Sequence, residues 1–337
     1  MKVVNYEGRG NKVRWRVFEK EMIEKHFGPI TDVLQLKEIT GGDVMLWRHD
    51  TETNPVSGAE NGTMFEDKFV FNINKPSSFK YAHAKEEAFI KWDELGIPCP
   101  GHFCFLSEED FLNKLENSAI KYPLIIRVNN MCDGLGSWLV NSEDQARVAI
   151  EKCAQIKNTS EVGSTKMMCV EFIDTTRENE NSKSFRIIVA GEKMITGYGR
   201  LSGPGDWVAT TKYFTPSMEE EFVEWNKKCE QFCLGSEELI VKAVRGLGLN
   251  HQGVDVILDK DDNPYFIEVQ PLYSTGYEDW LKPFYNPYYP DLVKFLLQES
   301  KHLKNEIPLY YENWLNKERL FDLAYSALRA DYENNIR

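Results

Sequence analysis

The runs Gly253-Val254-Asp255-Val256-Ile257-Leu258-Asp259 and Pro264-Tyr265-Phe266-Ile267-Glu268-Val269-Gln270 read as two strands joined by Lys260-Asp261-Asp262-Asn263. If Asp259 and Pro264 flank the loop, Asp255 faces Glu268 directly across the ladder. Opposed side chains there sit about 4.5–5.5 Å apart at Cβ, where like charges destabilise a sheet. Something must compensate. Strand alternation puts Gln270 on the face of Glu268. Two carboxylates and an amide oxygen make a hard-oxygen set suited to Mg²⁺, an ion usually shared with substrate phosphates. An ordinary hairpin would turn its acids to water, but this one is otherwise rich in Val, Ile and Phe and reads as buried. The loop is no calcium site, because Pro264 stands where such a loop needs Gly and Gln270 where it needs Glu.

A second informative stretch is Asp133-Gly134-Leu135-Gly136-Ser137, between a strand ending near Val128 and one beginning at Ser137. Glycines let backbone N–H groups approach phosphate closely, although a bare tight turn would look the same. The loop lacks the Lys-Ser/Thr of a P-loop and is not followed by the helix of a dinucleotide fold, which argues against both. Arg127 precedes it, and Arg186 and Arg200 follow on a hairpin that turns at Gly191-Glu192. Arginine keeps its charge and presents a fork that fits phosphate or carboxylate. In a regular two-residue hairpin Arg186 and Arg200 fall on opposite faces. One of them alone then reaches the site, unless Gly197 or Gly199 makes a bulge.

Composition narrows the class. A length of 337 residues exceeds what one core usually supports, so two or three packed units are expected. The net charge of −13, with no long basic run, argues against a nucleic-acid partner. No apolar run approaches the roughly 20 residues of a membrane helix, and the N-terminus has no signal-peptide core, so the expectation is a cytoplasmic protein without a membrane partner. Seven cysteines at irregular spacings, with no C-x-x-C pair, read as free thiols. Cys229 and Cys233 share a predicted helix face but lack further zinc ligands nearby. The six histidines receive no role.

Hydrophobic periodicity divides the chain. Residues 1–80 alternate helical and extended patterns, and 81–121 read as a connecting helical segment. Residues 122–175 form a small β-rich unit, 176–300 a larger one with the acidic hairpin, and 301–337 a helical extension. The polar stretch Asp174 to Lys183 reads as a flexible insertion. The tail from Tyr311 to Tyr332 is amphipathic and is a candidate homodimer contact. In Arg48-His49-Asp50, after a predicted strand, Arg48 is a candidate to pair with a substrate carboxylate, with a plain surface loop as the other reading; Trp280 to Tyr289 is a packing segment or a cover for the site or a subunit contact.

Taken in order, these segments resemble the ATP-grasp superfamily, particularly the branch of the ribosomal-protein glutamate ligase, with glutathione synthetase and D-alanine-D-alanine ligase as cousins. The similarity runs from about Lys85 to Tyr273. It implies an α/β (α+β) ATP-grasp fold, in which two α+β subdomains clasp a nucleotide behind a small α/β N-terminal domain. Lys85 matches the first phosphate-binding lysine, and Arg127 stands where the family has its second. Gly134, Gly136 and Ser137 match the glycine loop. Glu171, Phe172 and Ile173 resemble the linker that holds adenine, with Asp174 or Glu178 for the ribose. Arg186 and Arg200 keep the family spacing of the catalytic pair, and Gly205-Asp206-Trp207 resembles the loop on the substrate side. Asp255, Glu268 and Gln270 match the three metal ligands. The chain departs from the family at two of these positions, with Arg127 for Lys and Gln270 for Asn.

The resemblance implies ATP and Mg²⁺, with Mn²⁺ as a substitute, and a small-molecule carboxylate and amine joined through an acyl phosphate. An amino acid or short peptide is the expected substrate class, and ADP the expected product. Two other readings stay open at this level: a kinase or other phosphotransferase on the same fold, and a non-catalytic nucleotide-binding protein.

Overall fold

A computed structural model describes residues 1–6, 19–47, 62–129, 134, 136–159, 166–175, 181–203, 206–207, 216–270 and 304–337. Three four-stranded sheets organise them.

The first sheet is parallel throughout, in the order β2-β1-β3-β4, from β1 (Val3–Tyr6), β2 (Ile30–Val33), β3 (Gly42–Trp47) and β4 (Phe69–Ile73). β1, β3 and β4 carry most of its buried apolar residues, while Thr31 and Asp32 of the edge strand β2 are exposed. Helix α1 (Glu19–Phe27) makes the crossover from β1 to β2 and buries Met22, Ile23 and Phe27. Two helices follow, α2 (Phe79–His83) and α3 (Lys85–Leu95), where the periodicity predicts one from Tyr81. The break at Ala84, which is extended (φ −110°, ψ 104°), starts α3 at Lys85.

The second sheet, β5-β8-β6-β7, is antiparallel and comprises β5 (His102–Phe105), β6 (Leu124–Val128), β7 (Ser137–Val140) and β8 (Met167–Glu171). Helices α4 (Glu108–Glu116) and α5 (Glu143–Thr159) accompany it. Ser107 caps α4 by accepting from the Asp110 N–H, and three acids in the first turn favour the positive end of the helix. Phe111 of α4 and Ala146, Ala149 and Ile150 of α5 pack with Leu124, Ile126 and Val128 into one core. The sheet therefore begins at His102, inside the stretch read as a helical connector. The sequence His102-Phe103-Cys104-Phe105 is too short to show an alternation of its own.

The third sheet, β10-β9-β11-β12, holds both predicted hairpins: β9 (Lys183–Ala190) with β10 (Lys193–Leu201), and β11 (His251–Leu258) with β12 (Pro264–Gln270). Alternation along β9 separates two environments. Phe185, Ile187 and Val189 face the core with α6 (Glu219–Gly235) and α7 (Glu237–Arg245). On the other face, Ser184 and Arg186 line a cleft, while Ile188 and Ala190 join a second core. That core is closed by α8 (Lys317–Asn335) and by Val44, Leu46 and Phe71 of the first sheet. The tail predicted to be amphipathic therefore buries its apolar face within its own chain, and that face is not free for a homodimer. Asn74 adds a buried polar clamp: its Oδ1 accepts from the N–H groups of Asn250 (2.9 Å) and His251 (2.8 Å), and its Nδ2 donates to the His251 carbonyl (2.9 Å).

Candidate active site

The acidic pair faces itself as the sequence predicts, although by a different register. Leu258 pairs with Pro264 at the turn, which alone would put Asp255 opposite Ile267. A β-bulge between Asp255 and Val256 on one strand and Phe266 and Glu268 on the other shifts the ladder by one residue, and Asp255 lies opposite Glu268. Ile267, the extra residue, lines the cleft beside Glu268.

A second bulge corrects the expectation for the arginines. The β9–β10 register shifts between Met194 and Thr196, so Arg200 lies opposite Ser184 and Tyr198 opposite Arg186. Arg186 and Arg200 consequently share a face, and both reach Asp255. Arg186 grips it bidentately, with Nε to Oδ1 at 2.7 Å and Nη2 to Oδ2 at 2.8 Å; Arg200 Nη2 donates to Oδ2 at 2.7 Å. The extra residue is Ile195, not Gly197 or Gly199. Those glycines admit α6 instead: a Cβ on Gly197 would lie 2.6 Å from Cys233 Sγ, and one on Gly199 2.5 Å from Trp225 Cδ1.

Asp255 is 3% exposed. Burial alone pushes its carboxyl up, but the charges of Arg186 and Arg200 and their hydrogen bonds overcome this and hold it at about 2. Arg186 is raised above its ordinary value: burial disfavours its charge, and Asp255 more than restores it. On the opposite strand Glu268 Oε1 accepts from Lys85 Nζ at 2.6 Å, with side chains 16% and 10% exposed. Asp255, buried, and Glu268, half-buried, thus each carry a cation, as charge withdrawn from water requires.

These groups line a cleft between the second and third sheets, with about 1070 Å³ of empty space, open solvent at its mouth included. Lys85, Arg127, Gly134, Ser137, Glu171, Phe172 and Ile173 border it, as do Arg186, Arg200, Asp255, Glu268 and Gln270. Gly134 and Gly136 take positive φ (73° and 62°), the left-handed region that favours glycine. Gly136 is not among the lining residues; its carbonyl accepts from the Val128 N–H (2.9 Å) and so closes the β6–β7 turn. Asp174 is exposed and does not line the cleft. Glu178, Arg48-His49-Asp50 and Trp280 to Tyr289 lie outside the described residues, as do Asp133 and Gly205.

Several lining groups are not evident in sequence. Phe89, Pro100, Ile125, Val170 and Ile257 give the cleft apolar walls. They come from different elements, and each looks like ordinary core in the sequence. Lys183 is a further cation, buried, 3.2 Å from Glu221 and 5.4 Å from the Trp225 ring centre. Sequence places it at the end of the polar insertion, where it reads as a surface lysine. With it, five cations and three carboxylates border the cleft, a net positive site in a chain of −13. Glu171 Oε2 accepts from the Gly101 N–H at 3.1 Å, tying the end of β8 to the segment entering β5.

An apolar slot beside a cation cluster, with buried carboxylates on one hairpin, is also where sequence similarity concentrates: residues 84–277 match the RimK-like ATP-grasp domain. The chain belongs to the RimK-like ATP-grasp family. A probable alpha-L-glutamate ligase of Haemophilus influenzae is 24% identical over 221 residues, 65% of each chain. The chain thus spans about two thirds of that relative's length, at 65%. A probable alpha-L-glutamate ligase of Syntrophotalea carbinolica is 22% identical over 267 residues, 79% of each. The fold of D-alanine-D-alanine ligase from Bacillus anthracis, solved with ATP, superposes with a TM-score of 0.54 over 99% of both chains at 14% identity. Members of the ATP-grasp family thus share the mixed α/β architecture seen here. No helix among the described residues is long and apolar enough to cross a membrane.

Proposed function

We propose that this protein is an ATP- and Mg²⁺-dependent carboxylate–amine ligase that forms an amide or peptide bond through an acyl phosphate and releases ADP. The observation that carries the reading is the opposition of Asp255 and Glu268 across β11 and β12, facing one cleft with Lys85, Arg186 and Arg200. A carboxylate is a poor electrophile because its leaving group would be oxide. Phosphoryl transfer from ATP to a carboxylate oxygen breaks the bond to ADP and forms a mixed carboxylic–phosphoric anhydride; the amine then attacks the acyl carbon, loses a proton, and inorganic phosphate leaves.

In this reading Asp255, Glu268 and Gln270 hold Mg²⁺. The donor set fits, since it is all oxygen, and Gln270 sits on the cleft beside the two acids. When bound, the ion neutralises charge that builds on the phosphates during transfer. Lys85, Arg127 and the pair Arg186 and Arg200 share that task from the protein side, by position and charge rather than by covalent catalysis. The present pairs, Lys85 with Glu268 and both arginines with Asp255, keep the buried charges balanced before substrates arrive. Phe89, Ile125, Val170 and Ile257 give an adenine ring its apolar seat, and the linker Glu171-Phe172-Ile173 borders the same seat.

The resemblance to the glutamate ligases points to an amino acid or short peptide as substrate. Incubation with ATP, Mg²⁺ and pools of amino acids and short peptides tests this, scored by ADP, phosphate and amide product in equal amounts. ADP with a phosphorylated hydroxyl product would identify a kinase instead. ATP binding without ADP release across all pools would identify a nucleotide-binding protein and reject the ligase.

A further inference from the structure

Asp93, Cys99 and His102 lie outside the cleft and have no part in the chemistry above. Asp93 is in the last turn of α3, Cys99 in the connection, and His102 is the first residue of β5. One ligand atom from each comes within 4.8 Å of the other two. Cys99 Sγ is 3.3 Å from Asp93 Oδ1, and His102 Nε2 is 4.0 Å from Asp93 Oδ2. Tetrahedral zinc with sulfur at about 2.3 Å and nitrogen or oxygen at about 2.0 Å separates its ligand atoms by roughly 3.3–3.5 Å. The Cys99–Asp93 contact, a thiol hydrogen bond here, is within about 0.2 Å of the sulfur–oxygen edge of such a tetrahedron, and Asp93, whose side chain is 62% exposed, has room to rotate and close the other.

Two features distinguish this group from a chance surface cluster. The His102 side chain is 9% exposed, yet its Nε2 is aimed at Asp93 from beyond hydrogen-bonding distance. Its Nδ1 lies 3.1 Å from the Pro100 carbonyl, which can only accept, so the proton sits on Nδ1 and Nε2 presents its lone pair to the cluster. The ring is also held by Phe89, edge-on at 5.1 Å between centres. A thiolate and a carboxylate together balance a dication, and mixed sulfur, nitrogen and oxygen donors select zinc over Mg²⁺.

We propose that Asp93, Cys99 and His102 form a Zn²⁺ site joining the end of α3 to the first strand of the second sheet, with water as fourth ligand. The site would brace the wall of the cleft, because His102 is held by the Pro100 carbonyl and the Phe89 ring, and both of those residues line it. The C-x-x-H spacing of Cys99 and His102 is the trace it leaves in the sequence.

The test is Zn²⁺ titration of the metal-stripped full chain in excess Mg²⁺, which saturates hard-oxygen sites, followed by Co²⁺ spectroscopy. One equivalent should bind, with a thiolate-to-cobalt charge-transfer band. Cys99→Ser and His102→Gln should each weaken Zn²⁺ by about 100-fold or more, and Cys99→Ser should abolish the band. Asp93→Asn changes an exposed side chain and should weaken binding in a chain that folds normally. Cys104→Ser should leave binding and band unchanged. Failure of the wild-type chain to bind Zn²⁺, equal binding by all variants, or a band that survives Cys99→Ser would overturn the proposal.

Discussion

Asp255 carries three contacts at once, and its replacement separates their contributions. Its carboxyl is held at about 2 against an ordinary 3.8, so the folded state favours the charged form. A depressed folded value gives stability that is full above the unfolded value and is lost as pH falls through the folded one. Thermal midpoints of the wild-type chain should therefore decline between about pH 4 and pH 2, with a contribution on the order of 2 kcal/mol. Asp255→Asn should lower the neutral-pH stability by about 3–5 kcal/mol, because two buried guanidiniums lose their counter-charge, and should flatten that acid decline. Melting curves of both chains across this range check the sign. Lys85 is a cleaner probe of chemistry. Its pair with Glu268 lies in the cleft, and Lys85→Met should cut amide formation by about 10²–10³ in kcat, read in the ligase assay beside a measured ATP affinity. Asp255 was legible in sequence because its charge is conspicuous among apolar neighbours, whereas Lys85, among Glu86, Glu87 and His83, was named only by the family resemblance. Lys183 was not legible, since its burial depends on Trp225 and Glu221, residues some forty positions away.

Strands and hairpins were legible for a different reason, the short β-branched and apolar runs Phe185 to Ala190 and Gly253 to Leu258 bounded by turn residues. Bulges were not, because one inserted residue leaves alternation intact on either side of it. The Asp255–Glu268 opposition shows how this matters: the turn closes one residue earlier than predicted, and the bulge at Ile267 compensates. Likewise the bulge at Ile195 turns Arg200 to the cleft, while Gly197 and Gly199, plausible bulge sites by sequence, serve helix packing. Gly199 also donates its N–H to Asn226 Oδ1 at 2.8 Å, so strand and helix are fixed at close approach. Gly199→Ala should then cost about 1–3 kcal/mol by overpacking, visible as a lower urea midpoint with unchanged slope. Gly235→Ala, where an added Cβ meets nothing within 4 Å, is the control and should be neutral or stabilising. Equal midpoints for the two variants would mean that α6 yields freely and that the glycines have another role.

At the scale of the whole molecule, the C-terminal helix decides whether the three sheets behave as one body. The sequence shows its amphipathic face but not what covers it, since a face that packs in cis and one that packs on a second copy have the same periodicity. The structure seats α8 between the first and third sheets: Leu320, Phe321, Ala324, Tyr325 and Leu328 are each at most 2% exposed, in one core with Ile188, Ala190 and Val44. Tyr325 Oη donates to the buried Glu19 Oε1 at 2.9 Å, and Lys25 and His26 of α1 reach Asp322. Burying one large apolar side chain contributes about 1.5–3 kcal/mol, so the four large ones here sum to on the order of 10 kcal/mol. That matches the entire stability of an ordinary domain, about 5–15 kcal/mol. A chain ending at Asn316 should therefore fail to hold the first sheet against the third, and should either aggregate or melt in a broad transition at much lower temperature. Addition of a separate 317–337 peptide should partly restore the sharp transition, because the groove it vacates is complementary. A truncated chain that melts as cooperatively as the full one would show that α8 lies on the surface of a core complete without it.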